Sequence, residues 1–176
     1  MPAMIRLSVL LVPVLLALVA CAAPPAPMAA FRPPAAPIYS AALFDMARLP
    51  GDWRQGAAFA TAQAQPCAAG GLRIAPDGRI AGRLCLNGRD VPVSGVLRAV
   101  GPGRMQVSGA DPGGIGAPWW VVWVDEGYRT LAIGTPSGAF GFVLDRTGPV
   151  PPDRLRAAAE ILDFNGYDRA ALRPLR

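Results

Sequence analysis

Trp119-Trp120-Val121-Val122-Trp123-Val124-Asp125-Glu126-Gly127-Tyr128-Arg129-Thr130-Leu131-Ala132-Ile133-Gly134 decides how this chain folds. Its first six residues are the most apolar run after the N-terminal segment, rich in the aromatic and β-branched side chains that suit strands. Asp125-Glu126-Gly127 turns the chain back into a second strand-like segment, Tyr128 to Gly134. Thr135-Pro136-Ser137-Gly138 then turns that into a third, Phe140 to Asp145.

The same grammar extends upstream. Trp53 to Gln63 alternates Phe59, Thr61 and Gln63 with alanines, and Pro76-Asp77-Gly78 joins Leu72–Ala75 to Arg79–Leu86 as a hairpin. In the latter, Ile80, Gly82, Leu84 and Leu86 share the inward face, opposite Ala81, Arg83 and Cys85. Asn87-Gly88 leads into Val91 to Val100, with Val93, Gly95 and Leu97 opposed to Ser94 and Arg98. Gly101-Pro102-Gly103 leads to Arg104–Ser108, with Met105 and Val107 inward, before a glycine-rich loop over Gly109–Pro118.

These are eight segments with period two and no helical pattern between them. The expected fold is all-β, an eight-stranded antiparallel up-and-down barrel. Eight strands enclose an interior that either fills with side chains or holds one small ligand. The inward positions mix bulky groups with Gly82 and Gly95, which leaves room for a modest apolar cavity beside the alternative of a filled core. The candidates to line it are Phe59, Leu84, Leu97, Met105, Val107 and Phe142.

After Gly148-Pro149-Val150-Pro151 the period changes. Pro152 suits a first helical position and Asp153 the first turn, while Leu155, Ala158, Ala159 and Leu162 form one stripe before the stop signal Asn165-Gly166. A stripe that narrow needs one partner surface, so the helix is expected outside the barrel. It would cover the outer face of the tryptophan strand; the alternative is that Trp119 and Trp120 stay exposed and dock a partner or the membrane headgroup region.

The N-terminus carries an address. Arg6 followed by the apolar run Leu7–Val19 has signal-peptide proportions, too short to span a bilayer comfortably. Leu18-Val19-Ala20-Cys21 resembles a bacterial lipobox, in which Cys21 becomes the lipid-bearing first residue. Two or more acyl chains suffice for stable attachment. Ala22, where Asp would favour inner-membrane retention, points to the periplasmic face of the outer membrane. Six prolines among the alanines of Ala22–Pro37 describe an extended tether. The expected organisation is a signal peptide over 1–20, a lipidated cysteine and tether over 21–42, and barrel plus helix over 43–176. Order should begin near Phe44, with one helical turn over Phe44–Leu49 before Pro50-Gly51.

Composition excludes much else. With no histidine in 176 residues, neither a Ser-His-Asp nor a Cys-His nucleophile can be built, nor an imidazole-ligated metal site. No catalytic residue, metal ligand or cofactor site is therefore assigned. All 17 basic residues are arginines spread singly through the chain against 12 acidic ones, which is no nucleic-acid footprint. Cys67 and Cys85 read first as a disulfide in an oxidising compartment, contributing roughly 3 kcal/mol in the chain-entropy model. A two-thiol metal site or free thiols are the alternatives.

Three separated segments resemble one family. Gly51-Asp52-Trp53 is similar to the Gly-x-Trp opening motif of the lipocalins, Trp123–Arg129 to their second motif, and Phe142–Arg146 to their third. The run from Trp123 through Arg146 looks most like the bacterial outer-membrane lipoprotein lipocalins. The resemblance implies that Trp53 plugs the closed barrel end under Arg146, that Gly51 permits a close chain approach, and that Asp125 and Tyr128 fix a turn. It departs from the family where Arg54-Gln55 follow Trp53 in place of Tyr-Glu.

The resemblance also implies a non-enzymatic, membrane-anchored binder of small hydrophobic molecules such as fatty acids or lysophospholipids, serving envelope lipid storage, transport or maintenance. Two rivals stand beside it. One is a periplasmic protease-inhibitor barrel, which shares a Gly-x-Trp and one disulfide. The other is a structural or assembly lipoprotein with a filled barrel.

Overall fold

The computed structural model describes residues 30–109 and 114–176. The signal segment, Cys21 and the start of the tether lie outside the described residues, as do positions 110–113 of the glycine-rich loop.

The eight expected strands are β1 (Gly51–Phe59), β2 (Gly71–Ile74), β3 (Arg79–Leu86), β4 (Arg89–Gly101), β5 (Arg104–Ser108), β6 (Trp119–Val124), β7 (Thr130–Gly134) and β8 (Gly141–Asp145). Each pairs antiparallel with the next, and β1 pairs with both β8 and β2, so the sheet closes. Helix α1 (Pro152–Phe164) lies outside, against β6 and β7. The fold is the expected up-and-down barrel with one outer helix.

A ninth strand, β9 (Leu172–Pro174), pairs with Ala57–Phe59 of β1, beyond the point where β2 stops at the Arg54–Gly71 pair. Three residues that include a proline carry no period, so this element has no sequence signature. At the same seam Gln55 fills the ladder that β2 leaves open. Its amide donates to the Cys85 carbonyl at 2.9 Å, and its Oε1 accepts from the N–H groups of Cys85 at 2.8 Å and Gly70 at 3.2 Å.

Barrel curvature comes from three register shifts, in β1 between Gln55 and Ala57, in β4 between Ala99 and Gly101, and in β6 between Val121 and Trp123. Each bulge inserts one residue and exchanges the faces beyond it. In β1 this corrects one expectation. Trp53 points inward, but past Gly56 it is Ala58 that does so, while Ala57 and Phe59 face out. Phe59 is therefore no cavity residue; its ring packs on Phe31 and Tyr167 at centroid distances of 5.7 and 4.7 Å.

Gly82 and Gly95 also do a different job from the one expected of them. Their φ angles are 150° and 154°, and a Cβ would stand 2.0 Å from the Gly71 carbonyl oxygen or 1.9 Å from that of Ser108. They let strands bend and pass closely at the barrel wall, and they open no interior space.

Two apolar layers result. The inner one runs from Trp53 and Leu72 through Leu84, Leu97 and Met105 to Phe142 and Leu144. The outer one joins Ala57, Phe59, Val122, Ala132 and Val143 of the wall to Ala158 and Leu162 of the helix and to Phe31. Among the described residues packing already includes Phe31, and the expectation that residues up to 42 form a tether, with order starting near Phe44, does not hold. Phe31 and Arg32 are buried, and Arg32 donates to the Asn165 carbonyl at 3.0 Å and to the carbonyls of Pro136, Ala36 and Pro37. Composition alone cannot show this, because the anchorage rests on one aromatic and one arginine within a proline-rich run.

Candidate functional site: the barrel interior and its two ends

One end of the barrel is locked by Trp53 and Arg146. The Met46–Arg48 3-10 turn, capped by Asp45 accepting from the Ala47 N–H at 2.9 Å, folds Leu49 under the barrel. Trp53 donates its indole N–H to the Leu49 carbonyl at 2.8 Å. Arg146 lies 4.1 Å over the Trp53 ring and donates to the carbonyls of Tyr128 at 2.8 Å, Arg48 at 2.6 Å and Pro50 at 3.1 Å. A Cβ on Gly51 would come 2.5 Å from the Arg146 guanidinium, so the approach requires glycine.

Asp125 and Tyr128 shape the neighbouring turn. Asp125 Oδ1 accepts from the N–H groups of Arg129 at 2.6 Å and Thr130 at 2.7 Å. Tyr128 adopts φ 53°, its hydroxyl accepts from the Asp45 N–H at 2.7 Å, and its ring stacks on Phe44 with Arg48 3.7 Å over it.

Between the ends the lining is apolar. Leu84, Leu97, Met105, Val107 and Phe142 all point inward and are 0–4% exposed. A ligand-sized void would leave water-accessible surface on these side chains, so in this conformation they fill the barrel themselves. Among the described residues the inner cluster is apolar; buried Gln55, Thr130 and Asp145 make their hydrogen bonds at the wall and rim.

The opposite end, the mouth, is shut by a second tryptophan. Trp119 points inward, meets Phe142 edge-on at 5.2 Å and donates its indole N–H to the Ile115 carbonyl at 2.8 Å. Ile115, from the loop between β5 and β6, is 1% exposed. Each end thus closes by the same device, a tryptophan bonded to the carbonyl four residues earlier with that residue tucked beneath it. Ile115 is missed by sequence reading because nothing in a glycine-rich loop marks one isoleucine as a plug. Trp120 and Trp123 face out and pack against the helix layer, with Arg104 4.3 Å over the Trp120 ring.

Cys67 and Cys85 form a disulfide with Cα atoms 5.8 Å apart, pinning the loop after β1 to β3 and ruling out the two-thiol metal and free-thiol readings. Two polar anchors escaped the sequence. Asp145 of β8 is wholly buried and accepts from the Thr130 hydroxyl at 2.6 Å, the Thr147 N–H at 2.9 Å and the Arg154 guanidinium at 2.9 Å, fastening α1 to the wall. The Tyr167 hydroxyl accepts from the Thr135 N–H at 2.7 Å and donates to the Phe140 carbonyl at 2.8 Å.

A closed eight-stranded antiparallel barrel, locked by tryptophan under arginine at one end and apolar throughout its interior, defines a class of small calyx-shaped binding proteins. Residues 44–176 match the family model described as a lipocalin-like domain, and the chain belongs to that family. Solved structures share the fold at low identity. The allergen Per a 4 from cockroaches is 11% identical with a TM-score of 0.53, covering 80% of this chain and 93% of its own. Lobster apocrustacyanin A1 is 14% identical with a TM-score of 0.50, covering 74% of this chain and 78% of its own. No curated protein sequence matches the chain. Membership brings the coarse expectation of a binder of small hydrophobic molecules rather than a catalyst.

Proposed function

We propose that this protein is a lipid-anchored carrier of single-chain hydrophobic molecules, fatty acids or lysophospholipids, at the periplasmic face of a bacterial outer membrane. The observation that carries this reading is the apolar interior formed by the described residues, closed at the mouth by Trp119 over the loop residue Ile115 rather than by a covalent or ionic lock. A ligand chain would take the place of Ile115 and of the Met105 side chain, whose unbranched thioether repacks readily. Each methylene moved from water into the barrel contributes about 0.8 kcal/mol. The lipobox at Cys21 would keep donor and acceptor membranes within reach.

Native mass spectrometry of the protein extracted gently from its own membrane tests this. A co-purifying species of fatty-acid or lysophospholipid mass is expected. Its consistent absence, with no lipid taken up on addition, would favour the second reading, a scaffold lipoprotein whose filled barrel binds nothing. The near-complete burial of the interior side chains is the observation on that reading's side.

A further inference from the structure

We infer that the barrel stands mouth-down on the lipid bilayer, touching it with the β7–β8 turn and the exposed aromatic pair Tyr39 and Phe164. This rests on the reading of Cys21 as the lipid-bearing residue.

The chain enters the folded body at a fixed point. The Phe31 N–H donates to the Gly138 carbonyl at 2.8 Å, and its own carbonyl accepts from the Asp168 N–H at 2.8 Å. Arg32 beside it is buried and engages four carbonyls, one on the β7–β8 turn and one at the end of α1. Releasing this residue would leave the Asn165 and Pro136 carbonyls without their donor, so the attachment does not slide along the surface.

That point lies at the mouth. Gly138 and Pro136 belong to the turn between β7 and β8, at the same end as Trp119 and Ile115. From there the segment runs along the wall, where the Ala41 N–H donates to the Val121 carbonyl at 2.7 Å in mid-strand, to the locked end, where the Asp45 N–H donates to the Tyr128 hydroxyl at 2.7 Å.

Chain length then sets the orientation. Only residues 22–30 separate Cys21 from Phe31. Even fully extended, nine residues reach about 30 Å. The nine residues of β1 span a comparable length, about 30 Å. An anchor leaving at the mouth could reach a membrane beneath the locked end only if every residue of the tether were drawn taut along the wall, so chain entropy favours the mouth at the membrane and the locked end away from it.

The surface at the exit suits a headgroup layer. Phe164 is 72% and Tyr39 56% exposed, with ring centroids 6.0 Å apart, next to the Asn165 that Arg32 and Tyr39 both bind. Exposed aromatic rings favour the bilayer interface. A ligand leaving the membrane would enter the barrel with little passage through water.

The test is amide hydrogen exchange of the full chain on vesicles of phosphatidylethanolamine and phosphatidylglycerol, compared with Cys21→Ser protein in solution. Exchange at 135–140 and 164–168 is expected to slow at least about threefold on vesicles, with 76–78 and 125–128 unchanged. Replacing the exposed Tyr39 and Phe164 with serine should remove most of that protection while vesicle attachment persists. Protection of the 98–103 or 125–128 turns instead, or of neither end, overturns the orientation. Intact mass of the vesicle-bound protein reports acylation separately. If Cys21 carries no lipid the anchor reading fails on its own, and the same chain joined through the Cys21 thiol to a maleimide-headgroup lipid still reads which end faces the bilayer.

Discussion

Arg146 contributes through its shape as much as its charge, because one planar guanidinium covers the Trp53 ring and donates to main-chain carbonyls of two separate segments, Arg48 and Pro50 in one and Tyr128 in the other. Arg146→Ala should destabilise the protein by about 2–4 kcal/mol, combining lost cation-π contact with orphaned acceptors. Arg146→Lys should recover less than half of that, since an ammonium cannot reproduce the fork. Urea unfolding midpoints measure both.

Three other buried groups give the stability a pH signature. Burial alone would raise the Asp145 carboxyl, but the Thr130 hydroxyl, the Thr147 N–H and hydroxyl and the Arg154 guanidinium hold it below the ordinary carboxylate range. Asp125 is likewise raised by burial and held down more strongly by the Thr130 and Arg129 donors. With folded values depressed, this stabilisation is complete above the unfolded pKa of about 3.9 and is lost as pH falls through the folded values. Burial pushes the Tyr167 hydroxyl the other way, up to about 12. Its contribution is complete below the unfolded pKa of about 10 and lost as pH rises toward the folded value. Unfolding midpoints should be flat from pH 6 to 9 and fall at both extremes, with Asp145→Asn flattening the acid limb and Tyr167→Phe the alkaline one.

At the scale of elements, the legible features were those a short local pattern controls. The hairpin turns and the Pro152 helix start lie within a few residues of the signals that mark them, whereas the roles of Gly51, Trp53, Asp125, Tyr128 and Arg146 are legible through the resemblance to the family motifs, since Arg146 meets partners as far as 98 residues away. Phe59 was misplaced because a bulge at Gly56 changes parity without altering the alternation around it, and a period-two reading carries its phase straight through. Arg32, Gln55, Asp145 and Tyr167 carry no local signal because each has at least one decisive partner 15 or more residues away. The face exchange is testable. Phe59→Ala should cost about 3–5 kcal/mol through the cavity left in the outer layer while ligand affinity stays unchanged, whereas Met105→Ala, on the inner face, should alter affinity. The disulfide acts on the same seam that Gln55 completes. Cys67→Ser with Cys85→Ser should lower stability by about 3 kcal/mol in the chain-entropy model, read as a shift in thermal midpoint between oxidised and mutant protein.

For the whole molecule, the interior is continuous, apolar and occupied by its own side chains, so ligand uptake has to displace something. The Ile115 side chain can leave without breaking a hydrogen bond, since the Trp119 indole N–H donates to its main-chain carbonyl. Ile115→Ala should therefore speed ligand association while leaving the locked end intact. Affinity should also grow with chain length by about fourfold per methylene, the equivalent of about 0.8 kcal/mol each, until the barrel is full. Titration of the protein with a fluorescent long-chain fatty acid, with unlabelled fatty acids as competitors, tests the central claim most directly. Saturable one-to-one binding that strengthens with competitor chain length is the expected result; no saturable binding by either the native protein or Ile115→Ala would contradict it and leave a filled barrel serving as a scaffold.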